Sequence, residues 1–212
     1  MRKLPVYLVL DTSGSMHGEA IEAVKNGVQV LISTLRQDPY ALETAFLSVI
    51  TFDSAARQVL PLTELCSIRQ PELKAAGTTV LGEALSLLAD KINAEVTKST
   101  PEQKGDWKPL VFLMTDGSPT DDWQKGLHNL KKVKTGMIVA CAAGPSADTG
   151  VLTQITETVV QLDTADAATI KAFFKWVSAS VSSGSQKVET GFDEAATWKD
   201  LPPPPPEVNI VL

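Results

Sequence analysis

The chain has 212 residues, 43% of them hydrophobic, and is therefore long enough to fold as one domain with a full core. Its formal net charge of −6 argues against general nucleic-acid binding, because that function depends on basic surfaces that neutralise phosphate. An acidic chain of this kind is instead typical of proteins that bind cations or basic partners.

The N-terminus leads directly into an apolar stretch. Residues 1–5 lack the apolar region and small-residue cleavage site of a secretory signal. No apolar run approaches the ~20 residues that a membrane-spanning helix needs. Of the two cysteines, Cys66 and Cys141, the second ends an apolar run typical of a buried strand. We therefore expect a cytoplasmic protein without a membrane span or a disulfide.

The first predicted element is a strand that ends in a cluster of oxygen-bearing side chains. Residues 6–10 are apolar without alternation, which is typical of a strand buried on both faces. Asp11, Ser13 and Ser15 follow at every second position, and Gly14 lets the backbone turn tightly between them. Such hard oxygen donors suit Mg²⁺, which takes near-octahedral oxygen coordination at roughly 2.0–2.1 Å and usually keeps a water or a partner's oxygen.

The next segments alternate between helix and strand. Apolar residues recur at spacings of three and four over residues 17–37, which predicts a helix that Asp38-Pro39 ends. Residues 43–52 and 57–62 are typical of strands. The connection between them is so short that they must be antiparallel, and we expect the second to lie at the edge of the sheet.

A second carboxylate follows a second apolar strand. The Gly-containing loop at residues 76–80 opens a helix, and Thr78 would add a hydroxyl to the cluster. Residues 110–115 form an apolar strand that ends in Asp116. If this strand lies parallel to the first, Asp11 and Asp116 meet at one edge of the sheet. Two unpaired carboxylates within ~4–6 Å raise each other's pKa, and a divalent cation between them removes that cost.

The remaining elements complete an α/β pattern. We expect a helix from residue 121 or 122 to about 134, a strand at 137–142, a short helix near 149, a strand at 158–162 and a helix at 167–181. The predicted fold class is a three-layer α-β-α sandwich with a mostly parallel, doubly wound sheet and one antiparallel edge strand. Ligands of such sheets bind at the carboxyl ends of the strands, where Asp11 and Asp116 lie.

The composition changes after residue 182. We predict a domain at residues 1–182, followed at 183–212 by a Ser/Gly linker and a proline-rich tail. The proline run at 202–206 favours polyproline II, and residues 208–212 are apolar and β-prone. The tail is either disordered or folded back onto its own domain, or it docks on a partner through an aromatic-lined groove or an added strand.

Other residues near the predicted site have structural interpretations. We expect Asp53, Asp121 and Asp122 to cap helices or line turns. Met16 and Trp123 are expected in the core, with exposure at the rim of the site as the alternative.

The three separated segments together resemble a known family. Asp11-x-Ser13-x-Ser15, a Thr in a Gly-Thr loop and a later Thr-Asp-Gly resemble the metal-ion-dependent adhesion site (MIDAS) of von Willebrand factor A (VWA) domains, over residues 4 to about 182. The resemblance implies that Asp11 and Asp116 hold the ion directly or through water, and that Ser13, Ser15 and Thr78 supply hydroxyl ligands. Thr79 is a close alternative to Thr78, because the usual Gly-Gly-Thr is Ala-Gly-Thr here.

A closer resemblance is to the TerY-like proteins of bacterial tellurite-resistance and stress operons. It is carried by residues 11–24 (DTSGSMHGEAIEAV), 35–43 (LRQDPYALE) and 115–121 (TDGSPTD). Such proteins tend to be encoded beside a PP2C-type phosphatase and a protein kinase. The resemblance therefore implies a docking component of a phosphorylation-linked stress-response system, with those two enzymes as partners.

The predicted function is a non-enzymatic, metal-dependent protein-binding module. It would hold Mg²⁺, with Mn²⁺ or Ca²⁺ also possible, and the open coordination position would accept an Asp or Glu of a partner protein. The alternative is a Mg²⁺-dependent phosphatase or phospho-acceptor on a related α/β fold. Phosphatases of the haloacid dehalogenase type need a second Asp at the position of Ser13. Receiver domains need paired acids before the phosphorylated Asp and a Lys at a strand end, and this sequence has neither at the required positions. The sequence also contains no Walker loop.

Overall fold

The first strand of the chain, β1 (Leu4–Asp11), lies in the interior of the sheet and is buried along its whole length, as its uninterrupted apolar sequence requires. The structure is a computed structural model, in which residues 2–189 and 201–211 are described. The other strands in these residues are β2 (Ala45–Phe52), β3 (Ala56–Glu64), β4 (Leu110–Thr115), β5 (Met137–Ala143), β6 (Thr158–Leu162) and β7 (Asn209–Val211). All seven form one sheet in the order β3-β2-β1-β4-β5-β6-β7.

Most neighbouring strands of the sheet are parallel. β1 pairs in parallel with β2 and β4, and the parallel pairing continues through β5 to β6. β3 is the antiparallel edge next to β2, as predicted. β7 pairs antiparallel with β6 at the opposite edge. The predicted fold class is confirmed, and the tail contributes a further antiparallel strand.

Helices cover both faces of the sheet. They are α1 (Glu19–Gln37), α2 (Pro39–Thr44), α3 (Leu81–Glu95), α4 (Trp123–Leu130), α5 (Thr149–Ile155) and α6 (Ala167–Glu189). Alternate residues of β1 face opposite layers: Val6 and Leu8 belong to the core formed with α1 and α6, whereas Tyr7 and Val9 belong to the core formed with α3, α4 and α5. None of the helices in the described residues has the length and apolarity needed to cross a bilayer.

The short helix α2 was not predicted. Asp38 ends α1, as expected, but its carboxylate also accepts hydrogen bonds from the amides of Tyr40 and Ala41 at 3.0 and 3.2 Å. These contacts make Asp38 the N-cap of a new helix, with Pro39 at its first position. The strand that follows therefore begins at Ala45.

The predicted linker is wrong where the structure describes it. α6 continues to Glu189, so residues 182–186 are helical. Ser185 is fully buried, and Gly184 lies against the side chains of Leu4 and Leu110, each 3.5 Å from the position of a Cβ at this glycine. Tertiary packing therefore overrides the weak helix propensity of Ser and Gly. The domain boundary at residue 182 stays a prediction.

The described part of the tail folds back onto its own domain. The indole Nε1 of Trp176 donates a hydrogen bond to the carbonyl of Pro202 at 2.8 Å, and Val208 is buried. The amide of Val208 donates to the carbonyl of Pro205 at 2.9 Å, which turns the chain into β7. Residues 190–200, which belong to the predicted linker, lie outside the described residues.

Candidate metal centre

The first loop of the site, residues 12–18, follows β1. The amide of Ser13 donates a hydrogen bond to Asp11 Oδ1 at 2.8 Å, and residues Gly14–Met16 form one turn of 3₁₀ helix. This turn places the hydroxyl oxygens of Ser13 and Ser15 3.0 Å apart. The every-second-residue spacing therefore gathers one carboxylate and two hydroxyls in a small volume.

Another loop, residues 116–122, follows β4 and joins this cluster. It is called the third loop because of its place in the chain. The Ser15 hydroxyl donates to Asp116 Oδ1 at 2.7 Å. The Thr115 hydroxyl donates to Asp11 Oδ2 at 2.5 Å. The structure thus brings Asp11, Ser13, Ser15 and Asp116 together at the carboxyl ends of neighbouring parallel strands. Sequence reasoning missed Thr115, although a hydroxyl at a strand end beside an acid was the available signal.

The carboxylates of this cluster are shielded from water. Asp11 is 1% exposed and Asp116 is 8% exposed. Burial raises the pKa of Asp11, and the negative charge of Asp116 raises it further, whereas hydrogen bonds from Ser13 and Thr115 act in the opposite direction. A buried carboxylate whose pKa is raised by burial and by a neighbouring negative charge is a favourable environment for a divalent cation, because the cation stabilises its charged form.

The second loop, residues 75–80, is tied to the first by backbone hydrogen bonds. The amide of Ala76 donates to the carbonyl of Thr12 at 2.9 Å, and the amide of Gly14 donates to the carbonyl of Gly77 at 3.0 Å. Gly77 has φ +77°, and a Cβ at this position would lie 2.2 Å from the Ser54 hydroxyl. Only glycine fits this turn without displacing Ser54.

The two threonines of the second loop have different surroundings. Thr78 is exposed, and both its amide and its hydroxyl donate to the Ser54 hydroxyl, at 3.1 and 3.4 Å. Thr79 is 7% exposed, and its carbonyl accepts the amide of Thr120 at 2.9 Å. The Thr79 hydroxyl lies 3.8 Å from the position of a Cβ at Gly117, next to Asp116. The structure therefore directs Thr78 towards Ser54 and Thr79 towards the third loop.

The acids around the cluster have structural roles, as predicted. Both carboxylate oxygens of Asp121 accept amides at the start of α3, from Gly82 and Glu83, at 2.9 Å each. Asp122 caps α4 through the amide of Lys125 at 3.2 Å. Asp53 forms an ion pair with Arg57 at 3.0 Å.

Met16 and Trp123 both pack in the core. Met16, the last residue of the 3₁₀ turn in the first loop, is fully buried in the core on the α1 side of the sheet, and Trp123 is partly buried against the core on the α3 side. The core interpretation of these two residues is confirmed.

The donor set fits a hard cation. Two carboxylates and at least two hydroxyls converge, and oxygen ligands of this kind are those that Mg²⁺ prefers. In residues 2–189 and 201–211, no three His, Cys, Asp or Glu side chains form a group that could hold a metal. Any site at this cluster must therefore take part of its ligands from Ser and Thr.

Comparison with known proteins shows similarity to one family. The profile of the von Willebrand factor type A domain matches residues 6–192. The uncharacterized protein sll0103 of Synechocystis sp. is 35% identical over 123 residues, which are 55% of this chain and 26% of that protein. The chain thus spans about a quarter of the length of that relative.

Solved structures show the same fold. A von Willebrand factor type A protein of Catenulispora acidiphila has a TM-score of 0.67 and 20% identity, covering 86% of this chain and 43% of that one. The pilus adhesin SpaC of Lactobacillus rhamnosus GG has a TM-score of 0.68 and 15% identity, with coverage of 87% and 31%. Proximal thread matrix protein 1 of the mussel byssus, with a zinc-occupied MIDAS motif, has a TM-score of 0.61 and 19% identity, with coverage of 84% and 48%.

Proposed function

This chain belongs to the von Willebrand factor type A domain family, and from that premise we propose that it is a metal-dependent protein-binding module. Domains of this family commonly carry a MIDAS metal site, mediate protein interactions and are generally not enzymes. The observation that carries the proposal is the convergence of three loops, in which Ser15 of the first contacts Asp116 of the third and Gly14 contacts Gly77 of the second.

Each residue of the cluster has a proposed role. Ser13 and Ser15 would supply hydroxyl oxygens, and Asp116 would supply a carboxylate at the edge of the cluster. Both oxygens of Asp11 already accept hydrogen bonds from Ser13 and Thr115. This arrangement supports an indirect role for Asp11, in which its charge acts on the ion through a bridging water.

The fifth proposed ligand is a threonine of the second loop. The sequence resemblance assigned this role to Thr78, with Thr79 as the alternative. Burial of Thr79 and its position beside Gly117 support Thr79. The exposure of Thr78 and its contacts with Ser54 are more consistent with a role in shaping the loop.

The bound ion would supply a positive charge that attracts a carboxylate from a partner. Mg²⁺ takes six oxygen ligands and usually keeps water in some of these positions, so a position is left for an outside oxygen. We therefore propose that the partner contributes an Asp or Glu. Mg²⁺ is the proposed ion because all donors are oxygen, with Mn²⁺ and Ca²⁺ as alternatives, while the MIDAS of the mussel byssus protein holds zinc.

A binding module fits this site better than a phosphotransfer enzyme. A phosphatase of the haloacid dehalogenase type would need a carboxylic acid as general acid at position 13, where this chain has Ser13. A nucleophilic role for Asp11 would need an accessible oxygen, but both of its oxygens are hydrogen-bonded and it is 1% exposed. We propose that the protein has no catalytic residues.

The assignment of a subfamily, a biological role, a location and named partners rests on sequence alone. Three proposals are drawn from the segments at residues 11–24, 35–43 and 115–121: a relation to TerY-like proteins, a role in tellurite resistance or stress response, and a PP2C-type phosphatase and a protein kinase as partners. A cytoplasmic location is proposed separately, because the contexts of the two cysteines do not favour a disulfide. Membership of the wider family supports protein binding without identifying these partners.

Calorimetric titration of MgCl₂ into chelator-treated protein tests the metal site. We expect saturable binding to the wild type and at least about tenfold weaker binding to Asp116→Ala, because a carboxylate ligand is lost. Asp90→Ala, which removes an exposed acid of α3, is the matched control and should bind as the wild type does. Equal binding by all three proteins would place the ion elsewhere.

Pull-down with the proposed phosphatase and kinase tests the function. Recovery should require Mg²⁺, fall in the presence of EDTA and fall in Asp116→Ala. Recovery that EDTA leaves unchanged would contradict metal-dependent docking.

A further inference from the structure

A group of exposed lysines lies at the end of the sheet opposite the metal centre. Lys131, Lys132 and Lys134 are exposed in the turn that follows α4. This turn leads into β5 at Met137, which pairs with Leu110, the first residue of β4. The lysines therefore lie at the amino ends of β4 and β5, whereas Asp116 follows the carboxyl end of β4.

A fourth lysine reaches the same surface from a different part of the chain. The amide of Gly136 donates to the carbonyl of Pro109 at 2.9 Å, and a Cβ at Gly136 would lie 3.1 Å from the Cβ of Lys108. The turn itself is fixed, because the amide of Lys131 donates to the carbonyl of Leu127 at 2.9 Å. We call Lys108, Lys131, Lys132 and Lys134 the lysine patch.

The charge of the lysine patch is not neutralised within the described residues. None of the four forms an ion pair there, and Lys132 Nζ contacts only the neutral Asn129 side chain, at 3.5 Å. The sequence from residue 123 to 147 contains no Asp or Glu, although the whole chain has 25. The dipole of α4 favours cations near its end, but it does not account for Lys108, which precedes β4.

We propose that the lysine patch is a second binding site, for an acidic segment of a protein partner. Four ammonium groups on a fixed turn and the adjoining loop match a short run of Asp or Glu side chains, which they would bind through charge-assisted hydrogen bonds. The segment from residue 123 to 147 contributes no opposing acid, so the lysine patch attracts an acidic segment through its uncompensated positive charge.

Other polyanions fit the lysine patch less well. The large apolar side chains that are exposed in the described residues are Tyr40, Leu42 and Ile210, so the patch has none to insert into a bilayer. It contains no Arg and no aromatic side chain for contacts with nucleotides, and the net charge of −6 opposes a long nucleic acid.

Fluorescence anisotropy with a labelled hexaglutamate peptide tests the proposal on the full chain. We expect binding that weakens steeply as NaCl rises from about 50 to about 300 mM. The double variant Lys131→Glu/Lys132→Glu should weaken the binding of hexaglutamate about tenfold or more, because two positive charges that attract the peptide become negative charges that repel it. Treatment with EDTA should leave binding unchanged, which separates this site from the metal centre.

The control variant changes the net charge by the same amount as Lys131→Glu/Lys132→Glu. Lys25→Glu/Lys74→Glu alters lysines that are paired with Glu22 and Glu72, at 2.6 and 2.7 Å. This variant should retain most of the binding, and both variants should show the far-ultraviolet circular dichroism of the wild type. Equal losses in the two variants, no binding of hexaglutamate by the wild type, or tighter binding of phosphatidylserine vesicles or single-stranded DNA through the same lysines would overturn the proposal.

Discussion

The Thr115 hydroxyl donates a hydrogen bond to Asp11 Oδ2 across 104 residues of sequence. The other oxygen of Asp11 accepts the amide of Ser13. Protein groups alone therefore fix the orientation of this buried carboxylate. A site that is organised in this way spends little binding free energy on ordering its ligands.

Stability should depend on Mg²⁺ through Asp11. An ion that binds only the folded state at about one hundred times its Kd adds ~2.7 kcal/mol to the free energy of unfolding. Asp11→Ala should remove most of this gain, as measured by urea unfolding with MgCl₂ and with EDTA, while Asp90→Ala should retain it. A full Mg²⁺-dependent gain in Asp11→Ala would show that the stabilising ion binds at another site.

The two threonines of the second loop should respond differently to substitution. Thr79→Val keeps the shape of the side chain but removes the hydroxyl, so we expect Mg²⁺ affinity to fall about tenfold. Thr78→Val should leave that affinity within about twofold, because its hydroxyl contacts Ser54. Calorimetric titration measures both, and the reverse order of effects would assign the ligand to Thr78.

Gly77 and Gly18 form a matched pair for testing the second loop. Both have positive φ, +77° and +89°, so alanine at either position costs roughly 1–3 kcal/mol of backbone strain. A Cβ at Gly18 meets nothing within 4 Å, whereas one at Gly77 lies 2.2 Å from the Ser54 hydroxyl. Gly77→Ala should therefore destabilise more than Gly18→Ala in urea unfolding, and Gly77→Ala/Ser54→Ala should recover part of the difference. Equal destabilisation by the two single substitutions would contradict this steric role of Ser54.

Tyr7 should make the protein less stable in alkaline solution. Burial, and then the charge of the hydrogen-bonded Glu95, raise the pKa of Tyr7 well above its usual value near 10. The folded state keeps a proton that the unfolded chain releases, so stability is intact below about pH 10 and falls by about 1.4 kcal/mol per pH unit above it.

Urea unfolding between pH 8 and pH 11 in wild type and two variants checks this expectation. Tyr7→Phe should start less stable by about 1 kcal/mol, through the lost hydrogen bond, and decline less steeply above about pH 10. Tyr40→Phe, which alters the exposed tyrosine of α2, should decline as the wild type does. The same slope in all three proteins would mean that Tyr7 does not control the alkaline transition.

Local patterns were sufficient to predict the fold and most of the cluster. Apolar runs that end in Asp11 and Asp116 indicate buried parallel strands with their acids at one edge, and the structure brings those acids together. Thr78 and Thr79 are adjacent in sequence and both follow Gly77. Their different burial depends on contacts with Ser54 and Thr120, which are distant in sequence, so spacing alone did not separate them.

The errors arose where distant packing decides the local structure. Residues 182–186 have the composition of a linker, but the burial of Ser185 and the packing of Gly184 against β1 and β4 keep them helical. The sequence also did not predict which part of the molecule the tail contacts, because a β-prone segment such as Asn209–Val211 does not specify the strand edge with which it pairs. That choice depends on β6 being the uncovered edge and on Trp176 being placed to bind Pro202.

The burial of Met16 gives the first loop a built-in chemical reporter. Its thioether is shielded from water directly after Ser15, so peroxide reaches the sulfur only when the loop opens. The yield of methionine sulfoxide at this position therefore records how often the loop departs from its closed form. Any ligand that holds the loop shut slows this oxidation, whatever its chemical identity.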